Sequence, residues 1–256
     1  MQVTITTTLL LSALTLAVAL PLQGIDHRLF GRDVASAFPD PYQDAFYKAP
    51  SNLASYSVGD IIRTRAVDTT ILASVGSSFQ LLYRTTDTSK NAEATVATIW
   101  KPTTPRVPAQ ILSYHPYMDS DSLDCNPSWA FVQGSGSENT GTTSTDATVY
   151  IEWALSNGIY VVSPDDEGPK AAFIAGFQQG MSALDGIRAI TNHYKLPKNT
   201  EVALLGYSGG ASVTAWTANL AGSYAPDINV IGAVHGGTPI DVKGIVDFLN
   251  GGATAG

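Results

Sequence analysis

A serine hydroxyl held between glycines is the group in this chain best suited to chemistry. Gly206-Tyr207-Ser208-Gly209-Gly210 reads Gly-x-Ser-x-Gly. Apolar residues 202–205 precede it, and an alanine-rich amphipathic segment from Ala211 to Leu220 follows. Strand, sharp turn and helix in that order hold a serine out from the end of a sheet as a nucleophile. Glycine is needed at 206 and 210 because a Cβ there would crowd the neighbouring strand or helix. The Gly209 N–H, at the helix start, can point at a developing oxyanion. The same five residues also fit an ordinary glycine-rich turn. Their place between a β-type run and a helical run favours the nucleophile.

A serine hydroxyl attacks only when a base takes its proton, and a third group must orient that base. In folds with this motif the chain order is Ser, then Asp or Glu, then His. The chain has four histidines. His27 lies near the N-terminus. His115 closes a strand close to the site and is a candidate substrate contact. His193 ends a long helix, where a histidine suits the helix dipole. His235 alone follows Ser208, and the only acid between them, Asp227, precedes the next strand at its wrong end. Asp241 and Asp247 would reverse the order. His235 is therefore expected to shape the site, not to act as base. His235-Gly236-Gly237 looks like an HGGG-type oxyanion loop, but such a loop precedes the nucleophile.

The carboxylates give weaker signals. Asp119, Asp121 and Asp124 fit a solvated loop or a calcium site. Asp165-Asp166-Glu167 end a strand on the active face and are expected to cap the following helix. No His or Cys accompanies them, so a metal site is the weaker reading. Neither metal nor organic cofactor is expected.

The elements that must position these groups follow from periodicity. Residues 60–67, 79–85 and 94–100 read as strands in an antiparallel start to a sheet. Residues 110–114 form a short strand ending at His115-Pro116. Helix is expected over 147–156, strand over 159–163 and a long helix over 171–194. In that helix Phe173, Ile174, Phe177, Met181, Leu184, Ile187 and Ile190 follow the 3.6 period. Strand 202–205, helix 209–222 and strand 228–234 complete the alternation, and polar residues 134–145 read as a surface loop. Strands alternating with helices imply a mostly parallel sheet, and with the serine turn the pattern describes an α/β-hydrolase.

The chain as a whole bounds the function. Its 256 residues are 44% hydrophobic, enough for one sizeable core. A formal net charge of −8 argues against nucleic acid, which demands a basic face. Residues 3–20 carry no charge, and the densest apolar run, 9–20, is too short to span a bilayer. With Ala17-Val18-Ala19 as a cleavage site, residues 1–20 read as a signal peptide, although the segment before the apolar run has no Lys or Arg. A membrane anchor is the alternative. Residues 21–37 read as a leader or pro-segment, and 38–256 as the hydrolase domain. Cys125 is the only cysteine, so no disulfide forms within the chain.

Several further segments carry a resemblance. They include Pro39-Asp40-Pro41-Tyr42, residues 79–86, Tyr117-Met118-Asp119-Ser120, Ser122-Leu123-Asp124-Cys125, Glu167-Gly168 and residues 170–176 and 180–189. The Ser208 turn, His235-Gly236-Gly237-Thr238-Pro239 and Phe248-Leu249-Asn250-Gly251-Gly252 complete the set. Together they resemble the fungal secretory lipase family, the Candida antarctica lipase A type, from about residue 38 to the last residue. The resemblance implies a secreted α/β-hydrolase that cleaves acylglycerol esters at a lipid–water interface, with no stable membrane anchor after signal cleavage. It implies Ser208 as nucleophile and an oxyanion hole at Asp119 and Gly209. It also implies that the triad acid and base, much of a cap over the site and a partner for Cys125 lie further downstream. The chain then reads as an N-terminal portion, nearly inactive alone. The alternative is a secreted, non-catalytic lipid-binding or interaction protein on a hydrolase scaffold.

Overall fold

The computed structural model describes residues 38–251 except 70–71 and 136–139, with backbone alone for 140–146 and 249. The expected signal peptide and leader, and His27, lie outside the described residues. Strands β1 (Ile61–Ala66), β2 (Val75–Thr86) and β3 (Ala92–Pro102) run antiparallel to one another. Then β4 (Gln110–His115), β5 (Tyr160–Pro164), β6 (Glu201–Tyr207) and β7 (Asn229–Gly236) alternate with helices. The described strands form one sheet in the order β1-β2-β3-β5-β4-β6-β7. Pairs β5/β4, β4/β6 and β6/β7 are parallel, whereas β3/β5 is antiparallel. The antiparallel start and parallel body expected from the sequence are both present.

Period-two alternation sends neighbouring side chains to opposite faces of this sheet. Ile111 and Val162 join Leu184, Ile187 and Ile190 of α3 (Gly176–Tyr194) in one cluster. Leu112 and Val161 join Ala147, Ile151 and Leu155 of α2 (Thr140–Ser156) in another. Trp100 is fully buried there, edge-on to Phe131 at 5.1 Å, and its indole N–H donates to Thr69 Oγ1 at 3.0 Å. Helix α4 (Gly209–Tyr224) packs beside α3, against β6 and β7.

Three expectations need correction. The long helix begins at Gly176, not at 171. Gly168–Lys170 is a 3-10 turn, and Ala171 and Ile174 adopt left-handed backbone, which ends any helix there. Residues 140–145, read as surface loop, belong to α2, whose threonine-rich start hid the helix. A helix α5 (Val242–Gly251) follows β7 where none was expected. Asp241 caps it, its Oδ1 accepting from the Gly244 N–H at 2.9 Å.

One buried ionic cluster ties the helical layer to the sheet. Asp185 in α3 is fully buried and accepts from Thr85 of β2 and Tyr224 of α4, each at 2.8 Å. Arg188, one turn on, donates to Asp185 at 2.7 Å and also pairs with Asp227. Removing the guanidinium would strand a buried carboxylate. Arg188→Ala is expected to lower stability by on the order of 3 kcal/mol, read from the urea midpoint.

Candidate active site

Strands β4 and β6 are neighbours whose onward connections part company. The chain leaves β4 toward β5 on one side and leaves β6 toward β7 on the other. Such a divergence opens a crevice beyond the carboxyl ends of the strands. Residues Tyr117 to Asp119 fill one lip and the Gly206–Gly210 turn the other.

The turn is as tight as the glycines suggest. A Cβ on Gly210 would overlap the carbonyl of His115, and one on Gly206 would overlap the carbonyl of Gly210. Ser208 occupies the N-cap of α4 at φ 54° and ψ −121°, a region costly for any residue but glycine. Its N–H donates to Gly236 O at 2.9 Å, and its carbonyl accepts from Ala211 N at 2.9 Å. Gly209 opens the helix, so its N–H has no acceptor within α4. Asp119 leans over that position: a Cβ on Gly209 would overlap Asp119 Oδ1. Partial burial raises the Asp119 pKa. Ser208, Gly209 and Asp119 thus come together.

They line a cleft of about 670 Å³, walled also by Phe173, Ile174, Ile245 and Phe248. Three non-glycine residues on this cleft, Asp119, Ile174 and Ser208, have positive φ, and they come from three separate connections. Such strain concentrates where a fold overdetermines a site. The helical period of Phe173 and Ile174 hides their role as cleft wall, which sequence reasoning missed. The α5 residues were missed too, though the 3–4 spacing of Val242, Ile245, Val246 and Leu249 after Asp241 was available as a signal.

The described histidines stand elsewhere. His115 is fully buried, bonded to Ser113 Oγ at 2.9 Å and Thr214 Oγ1 at 2.8 Å, so it is no substrate contact. Burial holds its pKa down to about 3. His193 stands in the last turn of α3, as the sequence suggests, and packs on Phe79 and Tyr194, where burial lowers its pKa. His235 is exposed and hydrogen-bonds Thr238 Oγ1 at 2.7 Å. Among the described residues no histidine hydrogen-bonds Ser208.

The carboxylates after β5 also differ from expectation. Asp165 reaches back to the short helix α1 (Pro127–Ala130), accepting from Ser128 N at 2.7 Å and Asn126 Nδ2 at 3.2 Å. Asp166 accepts from Gln179 Nε2 at 3.1 Å and the Glu167 carbonyl from Gln178 Nε2 at 3.0 Å, so both meet α3, but neither side chain caps its start. Among the described residues no cluster of three or more His, Cys, Asp or Glu is arranged for a metal ion.

Comparison with known proteins now bears on the family. Residues 133–256 match the family model described as secretory lipase. Lipase A of Moesziomyces aphidis is 50% identical over 225 residues, which is 88% of this chain and 49% of that protein. The chain belongs to the secretory lipase family. The crystal structure of Candida antarctica lipase A in its closed state superposes with a TM-score of 0.82 at 50% identity, covering 85% of this chain and 51% of that one. The secreted triacylglycerol lipase LIP3 of Malassezia globosa is 38% identical over 223 residues, 85% of this chain and 48% of that protein. This secretory lipase chain spans about half the length of the curated relatives it matches. Its fold is that of an α/β-hydrolase, matching the lipase A structure.

The buried acids beside the site set a pH dependence. Burial pushes Asp165 up to about 7, and burial with neighbouring carboxylates pushes Asp166 and Glu167 upward. A carboxyl raised in the native state binds its proton more tightly there than in the unfolded chain, so its stabilising effect is lost as pH rises. Asp227 and Asp87 are held low and are already ionised above pH 5, so they do not oppose this trend. His115 and His193, whose pKa values burial lowers, oppose this trend below the ordinary histidine range near 6.5, so the melting temperature is expected to fall from about pH 7 to pH 8. Asp166→Asn, which keeps a partner for Gln179, should flatten that slope in thermal scans.

Proposed function

We propose that this protein is a secreted serine carboxylic-ester hydrolase, a triacylglycerol lipase working through an acyl-enzyme on Ser208. One observation carries the reading. Ser208 sits at a strained helix N-cap on an apolar-walled cleft, beside Gly209 and Asp119. The printed names of the relatives, lipases and secreted triacylglycerol lipases, support the substrate class and the extracellular setting. The apolar run at residues 9–20 supports secretion by a signal peptide. Among the described residues no helix is long and apolar enough to cross a membrane.

In the proposed reaction Ser208 Oγ attacks the ester carbonyl carbon and gives its proton to a base. The carbonyl π pair moves to oxygen, where the backbone N–H groups of Gly209 and Asp119 receive the charge. Collapse breaks the bond to the alcohol oxygen, which takes the proton from the base. Water then attacks the acyl-enzyme in the same way and releases the fatty acid. Phe173, Ile174, Ile245 and Phe248 offer the acyl chain an apolar wall.

The base and the acid that orients it are proposed to be residues other than those described. Ser208→Ala is expected to abolish p-nitrophenyl ester hydrolysis wherever the protein shows it, and unchanged turnover would refute the assignment. Residues 1–256 alone should give only the residual catalysis, about 10³-fold over water, that binding and oxyanion donors supply without a triad. Robust turnover by that chain would make His235 the base. No turnover from any form, with lipid still bound, would favour a non-catalytic lipid-binding protein.

Asp119 adds a second test. Its carboxyl hangs over Gly209, so protonated it can donate to the oxyanion and ionised it opposes that charge. Its pKa is raised, so the favourable form is present at low pH and lost as pH rises. Asp119→Asn keeps a neutral donor and should raise kcat/KM relative to the parent by about tenfold on the alkaline limb, with little change at acid pH. The paired pH–rate profiles check this.

A further inference from the structure

The turn that carries Ser208 is tied to β4 by a hydrogen-bonded chain whose direction is settled at one end. Thr214 Oγ1 donates to the Gly210 carbonyl at 2.9 Å, because a carbonyl can only accept. That spends the one proton of the Thr214 hydroxyl. The bond between Thr214 Oγ1 and His115 Nδ1, at 2.8 Å, must then run from Nδ1–H to the oxygen. A neutral imidazole protonated at Nδ1 accepts at Nε2, where Ser113 Oγ stands 2.9 Å away and donates. Ser113, His115 and Thr214 are each fully buried. Water therefore cannot substitute for a missing member without opening the core, and an unpaired member would bear its full desolvation penalty.

The chain ends where the turn is tightest. A Cβ on Gly206 would stand 2.5 Å from Thr214 Oγ1. The backbone of His115 abuts Gly210, and His115 pairs in register with Gly206. One residue of β4 thus grips both ends of the turn, by its backbone directly and by its side chain through Thr214.

We propose that His115 is a positioning residue: its imidazole, held in the Nδ1–H form between Ser113 and Thr214, sets the tilt of the first turn of α4 and so the aim of Ser208 and the Gly209 N–H. The proposal rests on Ser208 being the nucleophile, and its test is separable from that reading. Installing Ser208→Cys places a thiol at the same point, which ionises without a base and whose reactivity rises near a helix N-terminus. Iodoacetamide alkylation at residue 208 of the full chain, followed by peptide mass, then reports the aim of the helix N-terminus in the absence of any ester chemistry. In this background His115→Leu and Thr214→Val should each slow alkylation at pH 7 by about fivefold, the ratio one ordinary hydrogen bond corresponds to. Thr214→Ser, which restores the hydroxyl, should return the rate to within about twofold of the parent.

A second measurement stands even if those variants fail to fold. In the unsubstituted chain labelled with ¹⁵N-histidine, one imidazole should show a protonated Nδ1, an unprotonated Nε2 and no titration between pH 5 and 8. Assignment of that ring to His115 follows from its through-space contacts with Thr214. Unchanged alkylation in folded His115→Leu and Thr214→Val, or an Nε2–H or doubly protonated ring at pH 7, would overturn the proposal. Ester hydrolysis that survives Ser208→Ala would sink the nucleophile assignment while leaving the ring's tautomer and the thiol rates as they were.

Discussion

The arrangement at this site depends on one close approach between two backbones. The His115 carbonyl at the end of β4 lies where a Cβ of residue 210 would have to be. That distance lets β6 leave the sheet, reverse at Ser208 and enter α4 within five residues. A methyl group at either glycine would push the helix away from the strand and carry Gly209 away from Asp119. The apolar layers on both faces hold β4 and β6 in register, so the core reaches the site through this contact.

The topology determines what faces that contact. Because β4 and β6 send their chains in opposite directions, the crevice between their ends is left unfilled by either crossover. Its walls come from connections remote in sequence: the loop after β4, the segment between the 3-10 turn at 168–170 and α3, and α5 beyond β7. The ionic cluster of Asp185, Arg188 and Asp227 works on the helical layer, joining α3 to the far end of α4. Helix α4 is thus anchored at both ends, by charge at its C-terminal end and by close packing at its start.

Much of this was legible in the sequence. Apolar runs located β1 to β7; in the buried strands β3, β4 and β5 few other residues would serve, whereas β7 is largely exposed and was legible by its Val and Ile content alone. The serine turn was legible because its glycines are sterically necessary. The start of α3 was not, since Phe173 and Ile174 keep the helical period while their backbone does not follow it; tertiary packing overrode the local pattern. Nor was the partner of Asp165 legible, because it is Ser128, 37 residues away across a connection. His115 illustrates the same limit. Sequence position put it at the mouth of the site, but strand parity turned its ring into the core, toward Thr214 on a helix 99 residues later. Contacts of that range leave no local trace.

The left-handed backbone at Asp119, Ile174 and Ser208 carries a consequence for anyone seeking a hardier version of this protein. Each of those conformations costs about 1–3 kcal/mol that glycine would relieve in part. The β-branched Ile174 is the most tempting place to make the exchange. Yet the same three torsions direct three different segments into one hollow. Heat tolerance gained by relaxing them would be drawn from the shape of that hollow, so durability and selectivity here compete for the same few bonds.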